Sequence, residues 1–539
     1  MAQGAEEAFG PDELLREDGA LKPSSGKLGR GSGPLLLASI FVVASCGIIY
    51  ELLAGSLSTY LLGSSITQFS MVIGLFLSAM GLGSFLSRFV RSRLMEVFLL
   101  AQLVIAVVGG SFALGLFTAF AVLNVYLPLL IFVLVLIGSL VGLEIPLLVR
   151  ILRQQGSLRT SLANVLALDY LGALAASLLF PLLLVPSLGL IRTGFMFGLL
   201  NALVAFVGLW VFGSMVRRVN LYRVLTLLVT AVLILGMVTA GNTTTMLEDV
   251  IYDDDILFTK TTPYQRLVLT RWHEDVRLFI DGNIQFSSAD EFRYHESLVH
   301  PAMAWLQEAR RVLVLGGGDG MAVRELLNYP QVERIDLVDL DPEMTKLFSE
   351  LQILVALNKG SLKDPRVKVF NVDAQKFLES SKDNYDLVLM DLPDPNKEGL
   401  GKLYTRSFFR MVLKHLTPRG LLVTQATSPF YATDAFWCIV NTLHATTLSS
   451  AGEHPFVLPY HAHVPSFGDW GFVMASLEPM EPSRMRLDPS LDYRFLTDAL
   501  LPTLFVFPRD ISHVETPVNR LDNQALVELY NHGYQRYSK

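Results

Sequence analysis

The sequence predicts a multi-span α-helical membrane domain followed by a doubly wound α/β domain, with a small β meander between them. Three observations predict this architecture: seven long apolar runs within residues 34–241, short apolar strands alternating with helical stretches after residue 311, and an uneven distribution of charge. Residues 31–241 hold 14 charged side chains with a net charge of +6, whereas residues 242–539 carry a net charge of −11. We therefore divide the 539-residue chain into a polar N-terminal tail (1–33), a membrane domain (34–241), a linker with the meander (242–290) and the α/β domain (291–539).

The composition excludes several classes of protein. Hydrophobic residues make up 51% of the chain, which excludes a fibrous or disordered protein. The acidic half does not suit nucleic acid, because phosphate contacts require a basic surface, and it favours cationic ligands instead. Cys46 and Cys438 are the only cysteines, so the sequence excludes a disulfide framework and a cysteine-based zinc site.

Seven apolar runs are long enough to cross a bilayer, which takes about 20 residues of helix. They cover residues 34–54, 69–87, 95–119, 124–149, 162–186, 193–215 and 224–241. No signal peptide is expected before the first run, because residues 1–33 are polar and acidic. The first half is therefore predicted to be a multi-pass domain of the cell (inner) membrane, with the lipid bilayer as its partner.

The arginines between these runs predict their orientation. Clusters follow the second, fourth and sixth runs, at Arg88, Arg91 and Arg93, at Arg150, Arg153 and Arg159, and at Arg217, Arg218 and Arg223. The positive-inside rule places these connections and the N-terminus in the cytoplasm, and it favours two helices rather than three between residues 94 and 149. Seven spans then place residue 242 onward outside the cytoplasm. An error of one span would return that half to the cytoplasm.

Three carboxylates lie within or at the ends of the apolar runs, at Glu51, Glu144 and Asp169. Acids inside a membrane are costly and often line a path or a site for a cation. The alternative is that they lie at the membrane interface and pair with arginine near helix ends. The sequence leaves both interpretations open.

After residue 260 the pattern changes from helical to strand-like. Short strands at 266–272, 276–280 and 284–286 predict an antiparallel meander, and a helix is expected to start near Asp290. Five apolar strands follow at 312–315, 335–338, 367–370, 386–390 and 420–424, with the glycine loop 316–320 after the first. Helical stretches separate most of these strands. This alternation predicts a doubly wound, Rossmann-like sheet.

An aspartate stands at the carboxyl end of each of four successive strands. Asp319 lies in the loop after the first strand, Asp339 and Asp391 end the second and fourth, and Asp373 lies just past the third. One such aspartate is usually a loop or cap residue, but four in succession indicate a ligand site, because ligands bind outside the carboxyl ends of these strands. Asp339 follows Asp319 by 20 residues, a spacing at which an acid can bind ribose hydroxyls. The pattern therefore predicts a nucleoside site suited to a cation.

These motifs resemble the spermidine synthase family of aminopropyltransferases, which has the class I S-adenosylmethionine-dependent fold. The resemblance covers about residues 260–475 and is carried by Leu315-Gly-Gly-Gly-Asp-Gly320 with Arg324-Glu325, by Val338-Asp-Leu-Asp-Pro342 and by Asp391-Leu-Pro-Asp-Pro395. Tyr264-Gln265 and the segments 281–285 and 290–296 resemble the N-terminal hairpin and gate of the family. The helical half resembles the multi-span region of some bacterial members.

The resemblance implies that the donor is decarboxylated S-adenosylmethionine, used as a substrate and not as a prosthetic group, with no metal. Gln265 and Asp339 would hold its ribose, although the family more often has Glu at the position of Asp339. Asp373 and Ala374 would hold the adenine amino group, and Asp319 with His295 the aminopropyl end. The acceptor would be a diamine, with putrescine as the default, and the products would be spermidine and methylthioadenosine.

At the acceptor end, the resemblance implies that Asp391 accepts the proton of the attacking amine, because a free alkylamine is mostly protonated near pH 7. The acceptor itself would contact Asp394, Tyr294, Gln425 and Phe467. The segment 463–472 departs from the family, which commonly has Tyr-Pro-Ser-Gly there, so Phe467 would supply an aromatic wall without a hydroxyl group. The identity of the acceptor therefore stays open.

Two other functions stay open alongside this interpretation. The first is a methyltransferase that uses intact S-adenosylmethionine, although Asp319 would repel the carboxylate of that donor. The second is a membrane polyamine transporter or sensor whose α/β half only binds ligand, although the presence of both Asp391 and Asp394 argues against it. A homo-oligomer also stays open.

Overall fold

The computed structural model describes residues 32–62, 65–123, 125–152, 158–252, 254–306, 308–448 and 452–537. The predicted polar tail lies outside the described residues except for its last two positions, and so does Arg153. Within the described residues, a helical N-terminal region precedes a small antiparallel sheet and an α/β domain with a mixed sheet. This order of elements confirms the predicted fold class.

Seven long α-helices form the described part of the N-terminal region. They are α1 (Ser32–Leu62), α2 (Ser65–Leu86), α3 (Leu94–Thr118), α4 (Tyr126–Leu152), α5 (Leu158–Leu179), α6 (Val185–Phe212) and α7 (Val219–Tyr252). Two helices occupy the stretch from residue 94 to residue 149, as the arginine pattern predicts. The helix α7 continues to Tyr252, beyond the predicted end of the membrane domain at residue 241, whereas the candidate span within it ends at Gly241; the domain boundary stays a prediction.

Six stretches of the described chain are long and apolar enough to cross a membrane. The longest, Leu162–Met215, has 54 residues and would extend about 80 Å as one straight helix, against about 30 Å for a bilayer core. It contains both α5 and α6 and is interrupted at Gly189, whose φ of 75° and ψ of 175° lie outside the helical region. The six stretches therefore overlap all seven predicted runs, because Leu162–Met215 covers two of them.

Small residues let the helices of this region pack closely. A Cβ atom on Gly83 of α2 would lie 1.8 Å from the carbonyl oxygen of Ser139 in α4, and one on Gly142 of α4 would lie 2.1 Å from that of Met80 in α2. Only glycine allows the two backbones to approach in this way. Close backbone contact through small residues is typical of helices that associate without a hydrophobic driving force between them.

Glu144 of α4 is completely buried among these helices, and the Gln102 side chain of α3 donates a hydrogen bond to its Oε1 atom over 2.5 Å. The expected pairing of Glu144 with arginine is not found within the described residues: its partner there is an amide, and Arg150 donates to backbone carbonyls instead. Glu51 and Asp169 are half-buried, so both interpretations of these two acids stay open.

A four-stranded antiparallel sheet follows the helices in the order β1-β2-β3-β4. Its strands are β1 (Asp255–Thr261), β2 (Arg266–Trp272), β3 (Asp275–Ile280) and β4 (Asn283–Ser287). The last three are the predicted meander. The strand β1 was not predicted, because its side chains are largely exposed and show no apolar face.

The α/β domain contains a seven-stranded sheet in the order β10-β11-β9-β8-β5-β6-β7. Its five predicted strands are parallel to one another, namely β5 (Arg311–Gly316), β6 (Arg334–Val338), β7 (Val367–Phe370), β8 (Tyr385–Asp391) and β9 (Leu416–Gln425). Two further strands, β10 (Phe456–Val464) and β11 (Gly468–Ser476), form an antiparallel hairpin that was not predicted. The chain order reverses between β5 and β8, which is the point where such a sheet binds its ligand.

Helices cover both faces of this sheet. They are α8 (Glu291–Leu306), α9 (Met321–Leu327), α10 (Pro342–Glu350), α11 (Gln352–Leu357), α12 (Ala374–Ser380), α13 (Glu398–Gly401), α14 (Arg406–Leu413), α15 (Thr433–His444) and α16 (Ala525–Gln535). Alternate residues of β5 enter two separate cores: Val312 and Val314 pack on one face, and Leu313 and Leu315 on the other. The central strands are therefore apolar throughout, as expected for a parallel sheet buried on both sides.

Candidate active site

A cleft of about 630 Å³ lies at the carboxyl ends of β5, β6 and β8 and is bordered by the turns of the four-stranded sheet. Every site residue named from the sequence lines it: Gln265, Tyr294, His295, Asp319, Asp339, Asp373, Ala374, Asp391, Asp394, Gln425 and Phe467. These residues come from segments as far apart as the first meander strand and the β10–β11 turn. The structure brings all eleven together, and the role of each one stays a prediction.

The glycine loop after β5 forms the floor of the cleft. Gly316, Gly317 and Gly320 have φ angles of 82°, 63° and 74°, which only glycine adopts without strain. A Cβ atom on Gly318 would lie 2.5 Å from Oδ2 of Asp339, and the Gly318 backbone N–H donates to that same oxygen over 3.1 Å. Because Gly318 has no side chain, the loop backbone can contact Asp339 at the end of β6.

Asp339 is held by two backbone N–H groups, those of Gly318 at 3.1 Å and Asp341 at 2.8 Å. Burial raises the pKa of Asp339 to about 7, against these two hydrogen bonds, which lower it. Asp341 in turn accepts hydrogen bonds from Gln265 Nε2 at 3.0 Å and from the Thr262 hydroxyl at 2.8 Å. Asp341, which had no predicted role, therefore holds Gln265 beside Asp339.

A buried network of ion pairs fixes the orientation of the His295 ring. Its Nδ1 atom lies 2.8 Å from Oε2 of Glu291, and Arg324 donates to both oxygens of Glu291 at 2.9 and 3.0 Å. Burial alone would raise the pKa of Glu291, but its bonds to His295 and Arg324 lower it to about 2. Burial alone would lower the pKa of His295, but Glu291 raises it to about 9, so the imidazole is a cation at neutral pH.

Three titratable groups meet at the centre of the cleft. Ligand atoms of His295, Asp319 and Asp391 all lie within 4.8 Å of one another, and the Tyr294 hydroxyl donates to Oδ1 of Asp391 over 2.7 Å. Burial and the neighbouring Asp319 raise the pKa of Asp391 to about 6, and burial also raises that of Asp319. The spacing would also suit a metal ion, but an imidazolium has no lone pair to offer. Two acids and one cation fit an organic cation better.

Asp394 lies at the other end of the short Asp391–Asp394 segment. Its Oδ2 atom accepts from the Tyr530 hydroxyl at 2.9 Å and from the Thr427 hydroxyl at 3.4 Å, and its Oδ1 atom from Gln425 Nε2 at 3.4 Å. Gln425 also donates to the Tyr404 hydroxyl over 2.7 Å, which fixes its amide. Burial raises the pKa of Asp394 to about 6, although all three hydrogen bonds lower it.

Asp373 caps the helix α12, which starts at the next residue. Its Oδ1 atom accepts from the backbone N–H groups of Gln375 and Lys376, and its Oδ2 atom lies 3.2 Å from Nζ of Lys402. Burial would raise the pKa of Asp373, but these bonds together lower it. The cap brings Ala374, the first residue of the helix, to the cleft wall.

An aromatic wall closes the acceptor side. Phe467 lies in the turn between β10 and β11 and packs edge-on against Tyr294, with 6.1 Å between the ring centroids, and against Trp470 at 5.1 Å. The unpredicted hairpin thus delivers two of the aromatic rings. The rings give this side of the cleft an apolar surface, and Tyr294 adds a hydroxyl group to it.

Four residues that hold the site had no predicted role. For Asp341 the sequence does indicate a structural role, because aspartate followed by proline is typical of a helix start. Glu291 lies one helical turn before His295, a spacing that predicts contact on one helix face. Arg324 was noted only within a motif, and Tyr530 lies 136 residues from Asp394 with no local pattern to indicate the contact.

A doubly wound sheet with an acid-lined cleft at its switch point, a glycine loop and a cationic histidine favours a nucleoside ligand that carries positive charge. Residues 291–486 match the family model described as the spermine/spermidine synthase domain. The chain is 45% identical over 501 residues to the polyamine aminopropyltransferase of Leptospira interrogans, covering 93% of this chain and 99% of that protein. It is 46% identical over 538 residues to polyamine aminopropyltransferase 1 of Ralstonia nicotianae, covering 96% and 99%. A solved spermidine synthase in complex with the transition-state analogue AdoDATO is similar with a TM-score of 0.43 and 22% identity, covering 47% of this chain and 86% of that one.

The chain therefore belongs to the polyamine aminopropyltransferase family. This membership confirms the family predicted from the motifs and the predicted enzyme class, an aminopropyltransferase of the spermidine synthase type.

Proposed function

We propose that this cleft transfers the aminopropyl group of decarboxylated S-adenosylmethionine to a diamine, with putrescine as the default, and gives spermidine and methylthioadenosine. The observation that carries the proposal is the set of half-buried acids, since Asp319, Asp339, Asp391 and Asp394 all line one cleft. The donor carries a sulfonium and an ammonium group, and the acceptor is also a cation. Two cations can be brought together only where acids compensate their charge.

The donor end of the site is assigned to the glycine-loop side of the cleft. Asp339 and Gln265 bind the ribose hydroxyls, and their mutual arrangement through Asp341 supports a paired role. Asp373 and Ala374 hold the adenine amino group. Asp319 with His295 holds the aminopropyl end, where the carboxylate of Asp319 attracts the donor ammonium.

The reaction is a direct displacement. The neutral amine nitrogen of the acceptor attacks the propyl carbon bonded to sulfur, the new C–N bond forms, and the C–S bond breaks with its electron pair going to sulfur. The sulfonium becomes the neutral thioether of methylthioadenosine. The acceptor reaches its neutral form before the attack, when its ammonium group gives one proton to Asp391; the pKa of Asp391, about 6, leaves this carboxylate ionised at pH 7 and able to act as that base.

The acceptor end combines charge with shape. Asp394 binds the distal ammonium of the diamine, Tyr294 holds one oxygen of Asp391, and Gln425 orients Asp394. Phe467 contacts the methylene chain. No covalent enzyme intermediate is needed, so the rate enhancement comes mainly from aligning two bound substrates, an effect worth up to ~7–11 kcal/mol in favourable cases.

Turnover by the purified full-length chain tests this function. With labelled putrescine and either decarboxylated or intact S-adenosylmethionine, we expect release of methylthioadenosine from the first donor only. Release of S-adenosylhomocysteine from the second would instead indicate a methyltransferase. Polyamine uptake into proteoliposomes by an Asp391→Ala variant would indicate a transporter, because transport should survive the loss of a catalytic base.

We also propose that the helical half anchors the enzyme in the cell (inner) membrane, with the catalytic half on the exoplasmic side. Large apolar side chains on the outside of the bundle support this location: Trp210 is 77% exposed, Leu182 76% and Val238 73%. Such side chains are unfavourable in water and favourable in lipid. The homo-oligomer stays a prediction.

A further inference from the structure

The C-terminal helix α16 reaches the acceptor end of the cleft. This helix begins at residue 525, well beyond residue 486, where the match to the family model ends. Its Tyr530 is 9% exposed, and the hydroxyl group donates to Oδ2 of Asp394 over 2.9 Å. The other two donors to Asp394, Gln425 and Thr427, lie at 3.4 Å. Tyr530 therefore makes the shortest hydrogen bond that Asp394 receives.

Close contacts hold α16 in one position. A Cβ atom on Gly533 would lie 2.8 Å from Cα of Ala432, and one on Gly401 would lie 2.5 Å from the Val527 side chain. The helix is thus in contact with the start of α15 on one side and with the end of α13 on the other. Neither contact leaves room for an added methyl group, so Tyr530 cannot shift away without moving the packed helix.

A side-chain amide and a ring contact complete this support. Asn519, just before α16, is fully buried; its amide donates to the carbonyl oxygens of Gly401 and Tyr404 at 3.0 and 3.1 Å, and its oxygen accepts from the backbone N–H of Leu526. The ring of Tyr534 packs on that of Tyr530 with 4.6 Å between the centroids. The hydroxyl of Tyr530 is consequently presented to Asp394 by a rigid element.

We propose that Tyr530 is a positioning residue of the acceptor site, which fixes the orientation and the ionised state of Asp394, so that the segment 519–535 is part of the site that selects the diamine. The proposal rests on the proposed function, because it requires Asp394 to bind the acceptor ammonium. Tyr530 acts through Asp394 and does not itself line the cleft.

The charge state of Asp394 depends on few neighbours. The titratable groups around it are Tyr530 and Tyr534 of α16, Tyr404 of the turn after α13, Asp391 of β8 and Tyr294 of α8. Burial raises the pKa of Asp394 to about 6, and the Tyr530 hydrogen bond lowers it. Loss of that bond should therefore raise the pKa of Asp394 further, and more of the acid would be protonated near neutral pH.

The test is Tyr530→Phe in the full-length chain, with Tyr537→Phe as the matched control. Phenylalanine keeps the ring packing and removes only the hydroxyl group. Tyr537 follows the same helix, and its ring packs on Phe430 and Tyr431 instead of Asp394. We expect the KM for putrescine to rise about tenfold in Tyr530→Phe, the scale of one hydrogen bond to a charged group, with the KM for the donor unchanged.

The pH dependence of kcat/KM distinguishes a positioning role of Tyr530 from a purely structural one. The acid limb of kcat/KM for putrescine should move to higher pH in Tyr530→Phe, and raising the pH should restore much of the loss, because it ionises Asp394. A wild-type KM and pH profile in Tyr530→Phe would overturn the proposal. So would an equal loss at every pH together with a lower melting temperature, since that would indicate a structural role only.

The wild-type chain distinguishes this inference from the function on which it rests. If the wild type releases methylthioadenosine with putrescine and Tyr530→Phe behaves like Tyr537→Phe, only the role of Tyr530 is wrong. If the wild type releases none, the proposed function and this inference are both wrong.

Discussion

Asp391 is the residue on which the proposed chemistry depends most directly. Asp391→Asn keeps the size of the side chain and can still accept the Tyr294 hydrogen bond, but it cannot take a proton from the attacking amine. We expect turnover to fall by roughly 10²-fold or more, the usual scale for the loss of a positioned base, while the donor still binds. Single-turnover release of methylthioadenosine and donor binding at equilibrium measure the two effects. Near-wild-type turnover would show that another group accepts the proton.

The raised pKa values of the site acids predict how ligand affinity depends on pH. Burial holds the pKa of Asp339 near 7 and those of Asp391 and Asp394 near 6, so part of each acid is protonated in the empty cleft at pH 6. A bound cation favours the ionised form and lowers these values, so binding expels protons. Donor affinity should therefore rise as the pH increases from 5 to about 8 and then level off.

Calorimetry in two buffers of different ionisation enthalpy checks this prediction. Proton release at pH 6 should accompany donor binding and decline toward pH 8. The control is Asp339→Ala, which removes the acid with the highest pKa of the three. This variant should bind the donor more weakly and release fewer protons near pH 7, with little effect on the saturated rate. Proton uptake on binding would contradict the prediction.

Residue positions in the cleft were predictable where a strand end carried an acid. Asp319, Asp339, Asp373 and Asp391 follow from strand pattern alone, because strand ends share one edge of the sheet. Residues that act through a second residue were not predictable in this way. Tyr530 contacts Asp394 only because the chain folds back over the acceptor side, and no local pattern records that contact.

At the scale of elements, the ion pair between α8 and α9 holds His295 in place. Arg324 is 8% exposed and bridges both oxygens of Glu291, so Arg324→Met removes one of the two cations that this buried carboxylate contacts and leaves it with His295. Loss of one partner of a buried pair costs about 3–5 kcal/mol, and we expect that loss of unfolding free energy in the α/β domain. The shift of the denaturation midpoint measures it.

The control for this change is Arg310→Met. Arg310 pairs with Glu333 on the surface, where both side chains are 63% exposed, and such pairs contribute about 0–1 kcal/mol. Equal destabilisation by the two substitutions would mean that the buried pair has no special role. The pH dependence of the unfolding free energy provides a second measurement. Because the pKa of Glu291 is lowered to about 2, its stabilising contribution is complete above about pH 4.5 and is lost as the pH falls toward 2.

The predictability of the elements follows from how they are buried. The strands β5 to β9 were predicted because a parallel sheet covered on both faces needs continuous apolar runs. The hairpin β10–β11 was missed. Pro459 lies within β10, where it weakens a strand pattern, and β10 tolerates it because it is the edge strand of the sheet. Missing this hairpin also hid the element that carries Phe467 and Trp470 to the cleft.

At the scale of the whole molecule, the helical half and the catalytic half make conflicting demands on orientation. By the positive-inside rule, the arginines of the connections after α2 and α6, with Arg150 at the end of α4, predict a cytoplasmic N-terminus, and seven crossings would then leave the catalytic half outside. The donor, however, is a dication that does not cross an apolar bilayer unaided. An exoplasmic site therefore requires a path for a cation, and Glu144, buried beside Gln102, is a candidate for it together with Glu51 and Asp169.

A reporter attached after Lys539 tests this orientation. An alkaline phosphatase fusion, active only outside the cytoplasm, should be active, and a fluorescent protein exported by the same route should be dark. The same reporters inserted in the connection between α6 and α7, next to Arg217 and Arg218, are the internal control and should give the opposite pattern, because that connection is one crossing away. If the C-terminal reporters instead match the control, an even number of segments crosses, the active site faces the cytoplasm with its donor, and the three intramembrane acids lose their proposed path and stay structural residues.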